Sequence, residues 1–244
     1  MRYISLGSFC SVAMELEKLG LRSESLPFDW VISDFEGVML AIQENFVDFL
    51  KYEYLSQSKR NHAIYCNTKY NIKFYHDFDK YVSLKKQLPQ IQEKYNRRIL
   101  RFYNLITEPT LFIRYISAED TIDGKTKELI YIENNYEHIL EVIKSFNEDN
   151  DILFIANEGI SSDKVDIYNV QKDENDVVAR APIHKNPILF EKFNSLDFPD
   201  RQKNLNRYLS EKKKKNSRYN RFKRKVIAIM KRLFVREYSH ECQF

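Results

Sequence analysis

Continuous apolar runs along the chain predict a small set of buried strands. The first run lies at residues 2–7, and two more read TLFIRY at 110–115 and DILFIAN at 151–157. A weaker run, KVDIYNV at 164–170, predicts a fourth strand. Runs that are apolar at nearly every position are typical of strands covered on both faces, as in parallel sheets.

Between these runs, apolar residues recur with the period of a helix. The spacing predicts helices over about 10–19, 84–107 and 134–147. A further helix, with Asp34 as its N-cap, is predicted from Phe35, Val38, Met39, Ile42, Phe46 and Phe49. This alternation of strands and helices predicts an α/β fold, a three-layer α/β/α arrangement around a mostly parallel sheet.

Two segments differ from this pattern. NHAIYCNTKYNIKFYHDFD, at residues 61–79, alternates apolar and polar positions and predicts a small inserted hairpin or two short strands. From about residue 200 the chain becomes strongly basic and reads as a charge run followed by an amphipathic helix. We therefore expect an α/β domain over 1–200 and a basic helical tail over 201–244.

The charge of the chain is divided between body and tail. Residues 201–236 contain 15 Lys or Arg and one acid, Glu211, whereas residues 1–200 carry 24 basic and 32 acidic side chains. A basic amphipathic helix over 212–236 predicts binding to an anionic membrane surface or to a partner helix, and the alternative is a tail that packs on its own domain. Nucleic acid is disfavoured as a partner because the body is acidic and contains no recognised nucleic-acid module.

Cysteine usage and known motifs exclude several classes of protein. The three cysteines, Cys10, Cys66 and Cys242, have no CxxC spacing, which argues against a disulfide framework and a zinc site. GxGxxG, Walker A, HExxH and GxSxG patterns are absent, so neither a cofactor nor a metal is predicted. The first twenty residues contain no continuous apolar segment, and we expect a cytoplasmic protein that is peripheral at the inner membrane face.

Cys10 is the first candidate for chemistry, because it follows a predicted strand and begins a predicted helix. Backbone N–H groups and the helix dipole at such a corner favour a thiolate and can stabilise an oxyanion. Gly7 permits a tight turn, and Ser8 adds a hydroxyl donor. The alternative is a buried cysteine that serves only packing.

The carboxyl ends of parallel strands form the rim where ligands bind in α/β sheets. The predicted topology places Gly7 to Cys10, Arg114 and Asn157 along this rim. Four arginines are candidates for binding a carboxylate, a phosphate or an acidic sugar: Arg22, Arg97, Arg98 and Arg114. Arg114, at the end of an apolar strand, is the most site-like of them, and the alternative for Arg97 and Arg98 is a solvated helix face.

A nucleophilic cysteine needs a base, and two histidines are candidates. His76 lies beside Asp77, but neighbouring residues on a strand point to opposite faces, so Asp29 in PFDW is a second candidate for orienting it. His184 in APIHKNP is a reserve base, because hydrolases with a nucleophile after the first strand often take their base from near the end of the domain. The order in which the catalytic residues follow one another along the chain therefore stays open.

Four blocks carry a resemblance to a known family: ISLGSFCSVAMELEKLGLRSESLPFDWVIS, FYHDF, YNRRILRF and TLFIRY. Together they resemble a bacterial family of papain-like cysteine peptidases that is a domain of unknown function, from residue 3 to about 157. The resemblance implies that the following residues occupy motif positions: Cys10, Asp29, Trp30, His76, Asp77 and Arg114.

The fold that the family label implies differs from the pattern of this chain. Papain-like enzymes place the cysteine at the start of a long helix and the histidine far downstream in a β-rich lobe. Here a strand precedes Cys10, which looks more like SGNH-type hydrolases and capsule-polysaccharide acetyltransferase-like proteins. That likeness implies Asn157 as an oxyanion donor, although the DxxH block of those proteins is missing.

These observations predict a thiol-dependent hydrolase or acyltransferase that acts on an acyl or glycan-type substrate, such as a surface polysaccharide. Cys10 attacks an acyl carbonyl, His76 moves the proton, and Asp29 or Asp77 orients the imidazole. Backbone N–H groups with Ser8 and Asn157 hold the oxyanion, and Arg22, Trp30 and Arg114 bind substrate. The alternative is a non-catalytic module that binds an anionic glycan or phosphate.

Overall fold

The computed structural model of the protein describes residues 1–116, 121–122, 125–173 and 179–240. Its central sheet has four parallel strands in the order β1-β6-β9-β10. The strands are β1 (Arg2–Ser5), β6 (Thr110–Ile116), β9 (Asp151–Asn157) and β10 (Ile167–Val170). The predicted α/β class and the four predicted strands are confirmed.

Helices cover both faces of this sheet. They are α1 (Ser11–Lys18), α2 (Phe35–Gln43), α3 (Leu84–Ile106), α4 (Lys127–Lys144), α5 (Pro182–Lys185), α6 (Pro187–Asn194) and α7 (Arg201–His240), with a 3₁₀ turn at Tyr52–Tyr54. Successive side chains of a strand point to opposite faces. Ile113 of β6 accordingly joins a core with Leu16 of α1, whereas Phe112 joins a separate core with Phe102 of α3.

A second sheet lies beside the central one and is antiparallel. Its order is β2-β5-β4-β3, with β2 (Val31–Ser33), β3 (Leu55–Gln57), β4 (Tyr65–Asn67) and β5 (Ile72–Phe74). The predicted hairpin supplies β4 and β5. The other two strands were missed, because three residues are too few to show a period of two. A third pair joins β7 (Thr121–Ile122) to β8 (Lys125–Thr126).

Two predicted helices have different ends in the structure. Helix α4 begins seven residues before its predicted start, because the Thr126 hydroxyl caps it by accepting from the Leu129 N–H at 3.1 Å. Helix α2 ends at Gln43, and Asn45 and Phe46 then take positive φ angles of 54° and 57°. Asp34 is the N-cap of α2 as predicted, although its side chain caps no helix N–H.

The basic tail begins as part of the packed body. The Arg201 guanidinium donates to the Leu19 carbonyl at 3.1 Å, and the Asn204 amide donates to the Gly20 carbonyl at 2.9 Å. Gly20 has a φ of +72°, and a Cβ there would lie 2.7 Å from the Arg201 carbonyl oxygen, so the approach of α7 requires glycine. Every described side chain from Leu209 to Lys223 is exposed.

The apolar stripe of the predicted amphipathic helix consists of Phe222, Val226, Ile229, Met230 and Leu233. Phe222 is exposed, the other four side chains lie outside those described, and Cys242 lies outside the described chain. Among the described residues, no helix is both long enough and apolar enough to cross a membrane.

Candidate active site

The corner between β1 and α1 is a strained turn. Gly7 and Ser8 have φ angles of 82° and 67°, the second being unfavourable for a residue with a side chain. Ser33 holds this turn, since its hydroxyl accepts from the Ser8 N–H at 3.0 Å and its own N–H donates to the Ser8 carbonyl at 3.3 Å. A Cβ at Gly7 would lie 2.6 Å from the Ser33 Oγ, so this position requires glycine.

Cys10 follows this turn as the N-cap of α1, and its thiol is half-buried. The first helical hydrogen bond runs from the Met14 N–H to the Cys10 carbonyl at 2.9 Å, and no side chain caps the N-terminus of α1. Burial raises the pKa of the Cys10 thiol, and its own backbone N–H opposes this only in part. The thiol is therefore largely protonated at neutral pH and needs a base to become a nucleophile.

Two serine hydroxyls beside Cys10 are buried. Among the residues that the structure describes, neither the Ser8 nor the Ser11 Oγ has a hydrogen-bond partner. Buried polar atoms are normally paired, so an unpaired one needs an explanation, and a catalytic role is one such explanation. With the unbonded N–H groups at the start of α1, they are suitable donors for an oxyanion.

Arg114 is buried beneath the corner rather than on the rim. Its guanidinium donates to the Leu6 carbonyl at 2.9 Å and to the Ser33 hydroxyl and carbonyl at 2.9 and 2.7 Å, and it pairs with Glu128 at 2.6 Å. The side chain is 0% exposed. Arg114 therefore fixes the segments on which the Cys10 turn rests, and it presents no surface to a substrate.

Asp29 and Arg22 form another buried pair. The Asp29 carboxylate accepts from the Arg22 guanidinium and, at 2.7 Å, from the Leu26 N–H. Burial raises the pKa of Asp29, and the charge of Arg22 opposes that rise. Arg22 also lies over the Trp30 ring, 5.5 Å from its centroid. In this arrangement Asp29 orients Arg22 rather than His76.

His76 and Asp77 are separated by their surroundings. Asp77 accepts from the Tyr95 hydroxyl at 2.9 Å and pairs with Lys94. The His76 imidazole is exposed and stacks edge-on against Tyr75, and within the described part of the chain it makes no hydrogen bond or ion pair. Neither carboxylate that the sequence offered for orienting His76 contacts it.

His184, the reserve base, is held by a carboxylate that the sequence reasoning did not select. Its Nδ1 contacts the carboxylate of Glu15 on α1, which also accepts from the backbone N–H groups of Ile183 and His184. Glu15 is 0% exposed, whereas the His184 side chain is 44% exposed. The signal that could have found Glu15 is an acid on the apolar face of α1, one residue before Leu16.

Asn157 ends β9 at the rim, as predicted. Its side-chain oxygen accepts from the Tyr115 hydroxyl at 2.5 Å, and that hydroxyl accepts from the Ala179 N–H at 3.0 Å. Burial raises the pKa of Tyr115 to about 12, so its hydroxyl remains protonated and can donate. Asn157 thereby helps to fasten the segment before α5 to the rim.

The described residues contain no group of three or more His, Cys, Asp and Glu side chains that could hold a metal ion. The structure thus brings Ser8 and Cys10 together at one corner, with Arg114 beneath it. Glu15 lies on the helix that Cys10 caps and holds His184 of α5. Arg22, Asp29 and Trp30 form a separate cluster, and Asp77 faces α3.

A family model described as "Putative papain-like cysteine peptidase (DUF1796)" matches residues 1–158. The chain belongs to this family. The matched residues include Cys10 and His76 but end before His184. Membership supports a cysteine-dependent hydrolase at the level of the family description.

One relative is "Uncharacterized protein R408" of Acanthamoeba polyphaga mimivirus, which is 36% identical over 135 residues. The match covers 46% of this chain and 60% of the relative. Because this relative is viral, the comparisons give no support to the bacterial origin expected from the sequence. No solved structure matches the chain, so the likeness to SGNH-type hydrolases stays a prediction.

Proposed function

We propose that the protein is a cysteine-dependent hydrolase of the peptidase type, with Cys10 as its nucleophile. The observation that carries the proposal is the position of Cys10: a half-buried thiol at the uncapped N-terminus of α1, directly after a strained turn. Strain of this kind persists where surrounding contacts maintain it, and it is concentrated at active sites. Ser33 and Arg114 supply those contacts here.

The chemistry follows from this geometry. A base takes the thiol proton, and the thiolate attacks an acyl carbonyl carbon to form a tetrahedral intermediate. N–H groups at the start of α1, together with the Ser8 hydroxyl and Asn157, are the proposed donors to its oxyanion. The leaving group departs with a proton from the base, and water then hydrolyses the thioester.

The acyltransferase that the sequence also predicts shares the first half of this reaction. An acyltransferase forms the same thioester and passes the acyl group to an acceptor other than water. Transfer to a surface polysaccharide therefore stays a prediction, as does the alternative of a module that binds an anionic glycan or phosphate. Arg22 and Arg114, two of the arginines predicted to bind such a ligand, are buried and paired, which favours the hydrolase.

The test is alkylation of the full chain by iodoacetamide across a pH series, followed residue by residue by mass spectrometry. Cys66 is the matched control, because it is a half-buried thiol whose pKa burial also raises. We expect Cys10 to react at least about tenfold faster than Cys66 at neutral pH, with a reaction midpoint below that of an ordinary thiol, because a base that takes the thiol proton outweighs the opposing effect of burial. Reaction of Cys10 no faster than Cys66, with an ordinary midpoint, would overturn the proposal.

A second function concerns the basic tail, and we propose that α7 binds an anionic membrane surface. Its first turns are fastened to Leu19 and Gly20, and the exposed stretch 212–223 then carries seven basic side chains and no acid. Tyr219 and Phe222 are 64% and 67% exposed in the same stretch. Basic residues near an anionic bilayer contribute about 1 kcal/mol each, and exposed aromatic rings insert at the interface.

Sedimentation of the full chain with lipid vesicles tests this second proposal. We expect binding to vesicles of phosphatidylcholine with phosphatidylserine, no binding to phosphatidylcholine alone, and release by salt of about 0.5 M. Replacing Lys212–Lys215 by glutamine should weaken binding at least about tenfold. Absence of binding, or equal binding to both kinds of vesicle, would contradict the proposal.

A further inference from the structure

The interface between α1 and α5 contains a buried carboxylate that the proposed mechanism has not yet used. Glu15 accepts from the two N–H groups at the start of α5 and also contacts Nδ1 of His184. Capping α5 accounts for the two backbone contacts. It does not account for the imidazole contact, which fixes the orientation of the ring and leaves Nε2 directed away from the carboxylate.

The same helix carries Cys10. Five residues separate Cys10 from Glu15, which is a rise of about 7.5 Å along α1 and a rotation of about 140° around its axis. Long side chains on a helix point back towards its N-terminus, so the Glu15 carboxylate lies nearer to Cys10 than its Cα does. The segment before α5 is tied to the rim through Ala179 and the Tyr115 hydroxyl. His184 of α5 therefore packs against the same helix that follows Cys10.

We propose that Glu15 positions His184 as the general base for Cys10. This inference rests on the proposed function. The thiol proton moves from Sγ of Cys10 to Nε2 of His184, and the resulting imidazolium keeps its Nδ1–H bonded to the Glu15 carboxylate. His184 gives that proton to the leaving group, and later takes one from the water that hydrolyses the thioester.

His184 suits this role better than His76. A base in a nucleophilic dyad is normally held by a third group, and of these two histidines only His184 has one among the described residues. The ring is 44% exposed, so it is accessible from solvent, and it packs against Phe190 of α6 at 4.8 Å between ring centroids.

The charged residue next to His184 on α5 binds groups other than the Glu15 carboxylate. On α5 itself, the Lys185 ammonium is bound by the Asp173 carboxylate at 2.7 Å and by the Gln171 carbonyl at 3.2 Å. Glu15 is the acid that α1 presents to the ring, and the ring contact from α6 is the neutral side chain of Phe190.

The experiment measures the pH dependence of Cys10 alkylation in the full chain, with Cys66 replaced by serine. We expect His184→Gln to raise the pKa of the Cys10 thiol by at least about one unit. Thiolate is then about tenfold scarcer but more nucleophilic, so the rate at neutral pH falls about threefold for each unit. Glu15→Gln should act in the same direction, and His76→Gln, the matched control, should leave the profile unchanged.

Folding is checked by circular dichroism melting, because Glu15→Gln also weakens the start of α5. His184→Gln keeps the test decisive, since that side chain is nearly half-exposed and a structural role alone does not move the thiol profile. A profile that shifts with His76→Gln and not with His184→Gln refutes the inference and leaves Cys10 as the nucleophile. An unreactive Cys10 in the unmodified chain refutes the proposed function, and this inference with it.

Discussion

The polar residues of the motif blocks and those near Cys10 have different surroundings. Arg114, Asp29 and Asp77 lie in the core, and each binds an oppositely charged partner or a backbone group. Cys10 and His184 are partly exposed, and of these two only His184 has a charged partner. Residue type alone suggested chemistry for all five, but burial and contacts show that the first three are framework residues. Arg114 holds the segments beneath the corner, whereas Asp29 and Asp77 hold other parts of the body.

The strongest way to break this framework is Arg114→Met. The substitution removes the guanidinium that Glu128 binds in the core, along with the donors to Leu6 and Ser33. Removing one member of a buried pair costs about 3–5 kcal/mol, so urea unfolding should show a loss of that size. The control is Arg97→Met, which removes an exposed pair with Glu93 and should cost less than about 1 kcal/mol. Equal losses in the two variants would contradict a framework role for Arg114.

His76 and Asp77 are adjacent in the sequence, and they allow a sharper comparison between an exposed motif residue and one held by contacts. Asp77→Asn weakens the contacts to Lys94 and Tyr95 and should lower the free energy of unfolding by about 1–3 kcal/mol. His76→Gln, at an exposed site, should change it by less than about 0.5 kcal/mol. Urea unfolding of both variants is the measurement.

Alkylation of the same two variants provides the second readout. Asp77→Asn should leave the pH profile of Cys10 unchanged at temperatures where the variant is folded. If the pH profile of Cys10 alkylation shifted in both variants, the YHDF block would act on the thiol directly. The separation of framework residues from the residues that act on Cys10 would then be wrong.

Much of the fold could be predicted because its strands are buried on both faces. The continuous runs at 110–115 and 151–157 have few alternatives, and both strands were located to within one residue. The strands of the second sheet are three residues long and stabilised by tertiary contacts such as Val31 with Phe74, which no local pattern records. The α/β fold class could thus be predicted from the sequence, whereas two of the four strands of the second sheet could not.

For the candidate site, the sequence singled out Cys10, the proposed nucleophile, but could not assign its surroundings. The position of Cys10 depends on local features, a strand followed by a glycine and a helix. The roles of Arg114 and Asp77 depend on what surrounds them after folding, and the Glu128 and Lys94 partners lie 14 and 17 residues away. The Glu15–His184 contact spans 169 residues, so its only local signal was a charged residue on an apolar helix face.

The smallest expected effect lies in a partly exposed ion-pair cluster, where Lys69 pairs with Glu44 and Asp48 at 2.5 and 2.7 Å. Hydrogen bonding from the Lys69 ammonium lowers the pKa of both carboxyl groups. The unfolded chain then binds more protons than the folded one in mild acid, so stability rises with pH there. The contribution is present above the ordinary carboxyl pKa values and is lost as the pH falls through the lowered ones.

Lys69→Met should therefore be less stable than the unmodified protein at pH 7, and the difference should close in acid. Urea unfolding at neutral pH and at about pH 3 measures it. Lys86→Met is the control, because Lys86 is exposed and forms no ion pair within the described residues, so it should show no difference at either pH. A difference for Lys69→Met that persisted unchanged in acid would mean that Lys69 acts by packing over Tyr70, whose ring centroid is 5.4 Å from its ammonium, rather than by charge.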